Sequence, residues 1–256
     1  MKSLAKNLIL LIVSLVLISA CGSPPPVMNK ATPSPTPAPV PPGAVKVDKP
    51  VNVSFSTYSK DWPVAWQWID PDEKHTPTPH DVKKGVLRLH VPTKKDLGKD
   101  LKNAPRYLKA ITGDFEIETG VKIFPKENFQ GAGLLIYSDD NNYLRFVRAY
   151  GGPGGGGEGI MLDARKGTEF TPIATTADIA TEAESVDLKI VRSGKVFTAY
   201  WRENENAEWR LADDYEAEYP ETIQVGLVAC NTAREVIAEF GYIRLLPTAK
   251  SFASEH

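Results

Sequence analysis

The chain has 256 residues, 42% of them hydrophobic and 24% charged, a composition that describes a folded globular body and excludes disorder over the whole length. Its formal net charge is −2, which becomes −4 when Lys2 and Lys6 leave with a cleaved leader. No cluster of Lys and Arg stands out, so no nucleic-acid partner is expected.

The first 20 residues carry Lys2 and Lys6, then the apolar run 8–18, then Ser19 and Ala20 directly before Cys21. This order is that of a secretory signal closing on a lipid-attachment box, Ile18-Ser19-Ala20-Cys21. The apolar run of about 11 residues falls short of the roughly 20 that a membrane-spanning helix needs. Residues 1–20 therefore read as a lipoprotein signal peptide. Cys21 reads as the acylated amino terminus of an exported protein held on a bacterial membrane, since two or more acyl chains anchor stably where one does not. Residues 21–50 form the lipidated cysteine and its tether. Ten prolines lie between Gly22 and Pro50, and at about 3.1 Å per residue such a segment holds its cargo up to roughly 90 Å from the membrane.

Residues 51–247 read as one β domain, and 248–256 as a flexible tail. Apolar and polar residues alternate with a period of two. Phe115, Ile117, Thr119, Val121 and Ile123 interleave with Glu116, Glu118, Gly120 and Lys122, the pattern of a strand with one wet face. Comparable runs at 51–55, 86–91, 132–137, 143–150, 159–162, 186–191, 196–201, 223–229 and 237–245 predict about ten strands. Residues 138–142, Ser-Asp-Asp-Asn-Asn, supply a hairpin turn. Only 175–185 suggests a short helix. Many strands at short intervals imply an all-β fold of two packed antiparallel sheets.

Several segments in fixed order carry a family resemblance: Ala104-Pro105-Arg106-Tyr107-Leu108, Gly113-Asp114-Phe115-Glu116, Gln130-Gly131-Ala132-Gly133-Leu134-Leu135-Ile136-Tyr137 and Asn142-Tyr143-Leu144-Arg145-Phe146-Val147-Arg148. They continue with Leu188-Lys189-Ile190-Val191-Arg192, Phe197-Thr198-Ala199-Tyr200-Trp201, Val225-Gly226-Leu227 and Ala238-Glu239-Phe240-Gly241-Tyr242-Ile243. The set resembles the bacterial concanavalin A-like domain, of largely unknown function, that is related to the C-terminal module of family 43 glycoside hydrolases. The resemblance implies a jelly-roll sandwich of two curved antiparallel sheets. The chain departs from the pattern before Trp209, where relatives tend to carry an Asp-Gly turn and this sequence has residues 202–208 instead.

Candidate site residues follow from chemistry. Trp62, Trp66 and Trp68 share a parity, and aromatic faces stack on sugars; the competing reading makes them core tryptophans closing one end of the sandwich. Gln130, Tyr143, Arg145 and Arg148 bring amide, phenol and guanidinium groups suited to sugar hydroxyls, with Arg148 on the face opposite Tyr143 and Arg145. Glu116 and Glu118, about 7 Å apart along a strand, match the spacing of inverting glycosidase carboxylates, yet the solvated face of an amphipathic strand explains them more simply. Seven glycines in 151–159 make a hairpin loop and no phosphate cradle, because no Lys-Ser/Thr and no helix follow. His75 and His80 match no zinc spacing, and no metal site is expected. No cofactor is expected either, apart from a weak calcium candidate at Asp139 and Asp140. Cys230, in an apolar strand, reads as a small buried hydrophobe without a disulfide partner.

The sequence thus points to a surface-tethered module that binds a glycan or polysaccharide without cleaving it. Two alternatives stand beside this reading: a glycoside hydrolase or lyase using Glu116, Glu118 or Glu158, and a structural or protein-binding envelope lipoprotein.

Overall fold

The computed structural model describes residues 43–55 and 66–248. The leader, Cys21, most of the tether, Trp62 and residues 249–256 lie outside the described residues.

Strand formation runs through the whole described body: β1 (Val45–Lys46), β2 (Val51–Ser54), β3 (Gln67–Ile69), β4 (His80–Lys83), β5 (Val86–Val91), β6 (Arg106–Thr112), β7 (Phe115–Ile123), β8 (Gln130–Asp139), β9 (Asn142–Tyr150), β10 (Glu158–Lys166), β11 (Glu169–Ala174), β12 (Ser185–Ser193), β13 (Val196–Arg202), β14 (Arg210–Glu216), β15 (Thr222–Cys230) and β16 (Val236–Leu246). They make two sheets. The first runs β1-β6-β15-β8-β9-β10-β11, with β3 also on β6; the second runs β14-β13-β12-β7-β16-β5-β4, with β2 also on β16. Pairing is antiparallel except for β1 beside β6. Neighbours such as β6-β15-β8 and β12-β7-β16 are far apart in sequence, so the chain crosses repeatedly between layers, as a jelly roll requires.

The alternation in β7 decides its orientation. Phe115, Ile117, Val121 and Ile123 are buried against the first sheet, with Leu134, Phe146, Leu162 and Leu227 in the same core. The even-numbered residues face outward. Strands β8, β9 and β10 behave differently, because they are buried along almost their whole length. A second apolar cluster explains this: Leu97 and Ala104, from the segment joining β5 to β6, pack on Leu135, Tyr143, Val147, Met161 and Val228 on the outer side of the first sheet. That sheet is therefore covered on both faces, and the continuous apolar run of 131–137 is the signature of such double burial.

The ten expected strands all form. Six more, β1, β3, β4, β6, β11 and β14, lack clean alternation: β14 carries the sequence RLADDYE on the sheet edge, where charge protects against edge pairing. No helix forms at 175–185. The segment is a turn in which Ile179 N–H donates to Thr175 O at 3.1 Å while Ile160 N–H donates to Ile179 O at 2.9 Å; it lacks an apolar stripe of period 3.6 and gives its backbone to β10 instead.

Candidate functional site

The outer face of the first sheet is closed by the segment 92–105, which is tied down at several points. Lys95 forms a fully buried ion pair with Asp70, Nζ–Oδ1 2.5 Å. Its backbone exchanges two hydrogen bonds with Asn231, and Arg165 Nη1 donates to Gly98 O at 3.1 Å. Beneath this cover lie three residues expected on a sugar groove. The Tyr143 hydroxyl donates to the Leu97 carbonyl. Arg145 is buried between Asp163 (Nη2–Oδ2 2.9 Å) and Asp96 (Nη1–Oδ1 3.2 Å). Gln130 accepts from the Lys126 and Glu127 amides and donates to Arg234 O. The expectation that these three meet sugar hydroxyls is corrected on physical grounds: every polar group of the three is consumed inside the protein.

Trp66 is likewise a core residue, stacked on Tyr107 at 5.3 Å between ring centroids. Trp68 packs half-buried against the same core and against the His80 ring at 4.4 Å. The core reading of these tryptophans prevails over the platform reading because β3 delivers them to the sandwich edge, on β6. Arg148 does sit on the face opposite Tyr143 and Arg145. It is fully buried, donates to Ala183 O and bonds Glu158 (Nη2–Oε2 2.5 Å). Asp139 accepts from Asn141 N–H and Asn142 Nδ2, and Asp140 takes the Tyr137 hydroxyl; both carboxylates thus close the hairpin. Among the described residues no group of three or more His, Cys, Asp or Glu is placed to hold a metal. Cys230 is free and buried, its thiol pushed up to about 12 by burial.

Among the described residues, no segment closes the outer face of the second sheet as 92–105 closes the first. Register places its residues in rows across β16, β7, β12 and β13: Arg244–Glu118–Lys189–Tyr200, then Tyr242–Gly120–Asp187–Arg202. The first row is a ladder of alternating charge, with Arg244 Nη1 to Glu118 Oε2 at 2.9 Å. Glu116 lies beside it, its carboxyl raised above the ordinary value by burial and by a hydrogen bond with Glu118, against the pull of Lys189. Both carboxylates offered as acid and base therefore have cationic partners, Arg244 at Glu118 and Lys189 Nζ at 3.9 Å from Glu116 Oε1.

In the second row Gly120 contributes no side chain, and the Tyr242 ring fills part of the space above it. Asp187 is fixed by Arg202 (Nε–Oδ2 2.8 Å). A groove of about 330 Å³ results, floored by Gly120, Gly241 and Tyr242 and walled by Asp187, Glu239 and Asn204. Burial, with Asp187 and Glu118 adding to it, pushes the Tyr242 hydroxyl above its ordinary value, so it stays a donor. Trp209 stands at the side, with Lys189 Nζ 4.3 Å and Arg202 Cζ 4.4 Å from its ring. The wall residues Glu203, Asn204 and Glu205 come from 202–208, where the sequence departs from its relatives. Nothing in the sequence flagged Tyr242 or Asp187 beyond strand parity; the facing Gly120 between polar neighbours was the available signal.

A second depression, of about 660 Å³, lies at the end of the sandwich and is lined by Phe124, Lys126, Glu158, Ala180, Thr181, Glu182 and Glu184. Arg148 and Lys126 hold Glu158 ionised; their hydrogen bonds outweigh burial and keep its carboxyl below the usual range.

Two antiparallel sheets in this order, one with a grooved outer face, define a concanavalin A-like jelly-roll sandwich. Residues 53–245 match the family of the beta xylosidase C-terminal concanavalin A-like domain, and the chain belongs to that family. Among solved structures it is similar to the GH43 protein BlXynB from Bacillus licheniformis, with a TM-score of 0.61 and 20% identity over 77% of this chain and 39% of that one. A functionally unknown protein from Saccharomyces cerevisiae is matched at TM-score 0.59 and 15% identity, over 73% of this chain and 98% of that one. The exoplasmic/lumenal domain of VIP36, in its Ca2+/Man3GlcNAc-bound form, is matched at TM-score 0.51 and 12% identity, over 73% and 88%. The chain therefore spans well under half of the GH43 protein. No curated protein matches it.

Proposed function

We propose that the protein is an exported lipoprotein, anchored through acylated Cys21, that holds a glycan in the groove on the outer face of its second sheet without cleaving it. One observation carries this reading: an aromatic ring laid over a glycine, beside carboxylates and an amide, on the sheet face that the described residues leave open. An apolar floor with a few placed polar groups is how small-ligand sites are generally built. The family match supports it, and so does the likeness to a fold that in VIP36 carries Man3GlcNAc. The engagement of Glu118 by Arg244 and of Glu116 by Lys189 favours binding over hydrolysis.

The test is affinity electrophoresis of the full chain in detergent through gels containing a panel of polysaccharides, xylan among them. Retardation without release of reducing ends, lost in Tyr242→Ala, is the expected result. Passage through every gel unretarded, or release of reducing ends that stops in Glu118→Gln, would refute it. Labelling with radioactive palmitate, abolished in Cys21→Ala, tests the anchor separately.

A further inference from the structure

The groove on the second sheet and the depression at the sandwich end are neighbours. Glu184 lines the end depression and Ser185, the next residue, lines the groove. Lys122 joins them: it lines the groove, bonds Glu184 (Nζ–Oε2 3.0 Å) and lies 4.9 Å from the centroid of the Phe124 ring, which is itself an exposed wall of the end depression. Each space is within the roughly 300–1,000 Å³ typical of ligand sites. Each also offers one aromatic ring, Tyr242 in the first and Phe124 in the second. The exposed Lys122–Glu184 pair stands where the two linings meet, and an exposed ion pair of this kind contributes at most about 1 kcal/mol, so it yields readily to a ligand laid across it.

Resting on the proposed glycan binding, we infer that the two spaces form one track for an extended, uncharged glycan chain, with Tyr242 and Phe124 as its two stacking points and Lys122 between them. Charge selects the ligand class. The two linings together carry seven carboxylates against two lysines, and Glu158 is held ionised by Arg148 behind it. Arg148, Arg202 and Arg210 pair with Glu158, Asp187 and Glu203 and leave the balance acidic by two charges, so a uronate or phosphate chain meets no cationic excess, whereas neutral hydroxyls find acceptors.

The experiment is calorimetric titration of the full chain in detergent with neutral xylo-, cello- and manno-oligosaccharides of two to six units, and with oligogalacturonides of the same lengths. The expected result is a Kd for the best neutral series that falls about tenfold or more between two and five units. Phe124→Ala, an exposed position, removes that gain with length and so weakens long chains more than short ones, while Tyr242→Ala weakens every length. Oligogalacturonides bind at least about tenfold more weakly. Affinity independent of length, equal weakening of short and long chains in Phe124→Ala, or equally tight acidic chains would overturn the track and leave single-site binding intact. Absence of binding in every series would instead overturn the proposed function itself.

Discussion

Arg145 on β9 and Asp163 on β10 stand directly opposite each other in the ladder, joined by Nη2–Oδ2 at 2.9 Å and buried beneath the segment 92–105. Asp96, from that segment, completes the pairing at 3.2 Å. A buried guanidinium stripped of Asp163 loses its bonds from Nε and Nη2 and keeps only Asp96 as a carboxylate partner. Asp163→Ala is expected to cost about 3–5 kcal/mol in urea unfolding, and replacing both residues together by Met and Leu to cost much less. Equal losses in the single and double variants would show that the pair's charges are not what stabilises this site.

The cover over the first sheet depends on Lys95 and Asp70, both fully buried. Cys230 lies under it with a thiol pushed up to about 12, and so is protected both by access and by protonation. The native protein is expected to resist thiol reagents near pH 8 until it unfolds. Lys95→Ala, which abandons Asp70 inside the protein, is expected to raise the labelling rate and to speed amide exchange in 94–104 and in β9. Labelling of the native protein at the rate of a free thiol would show the face to be open.

Much of this architecture is legible in the sequence, and the reasons are local. β7 alternates because one of its faces meets water, and the turn at 138–142 is written in Asp and Asn. The cover is not legible in that way. Leu97 and Ala104 sit in a stretch without period, and their burial follows from where β5 and β6 deliver the loop. Arg145 and Gln130 look like ligand-binding groups because the chemistry that suits a sugar also suits Asp163 or a backbone amide. The groove escapes notice for the opposite reason: it is made by a residue without a side chain, Gly120, and by Tyr242 brought beside it from more than 100 residues away.

The two perturbed glutamates act on stability with opposite signs. Glu116 has its folded pKa raised above the ordinary 4.5 by burial and by Glu118; the folded state holds its proton more tightly, so its contribution is present at acid pH and is lost as pH rises through the folded value. Glu158 has its folded pKa lowered by Lys126 and Arg148 against burial; its contribution is present above the ordinary value and is lost as pH falls through the lowered one. Glu116→Gln is therefore expected to raise the Tm at pH 7 and to make little difference near pH 4. Glu158→Gln should lower the Tm at pH 7 and flatten the acid limb. Thermal melts across pH 3–8 that show either variant moving the other way would contradict the assigned environments.

Two glycines separate the binding surface from the core. A Cβ at Gly120 would meet Tyr242 Cε1 at 2.9 Å and Asp187 Oδ1 at 3.1 Å, both side-chain atoms on an open face that shift at modest cost. Gly120→Ala is expected to lift the Tyr242 ring from the groove floor, weakening glycan binding about tenfold while costing no more than about 1 kcal/mol of stability. A Cβ at Gly133 would lie 2.3 Å from Phe146 O and 2.9 Å from Val147 Cα, which are backbone atoms of the adjacent strand in the middle of the first sheet. Gly133→Ala is expected to cost about 3 kcal/mol or more, because overpacking there can be relieved only by moving β9. Denaturant unfolding and glycan titration on both variants separate the two effects. If Gly120→Ala binds like the wild type, the ring over the glycine is not the floor of the site.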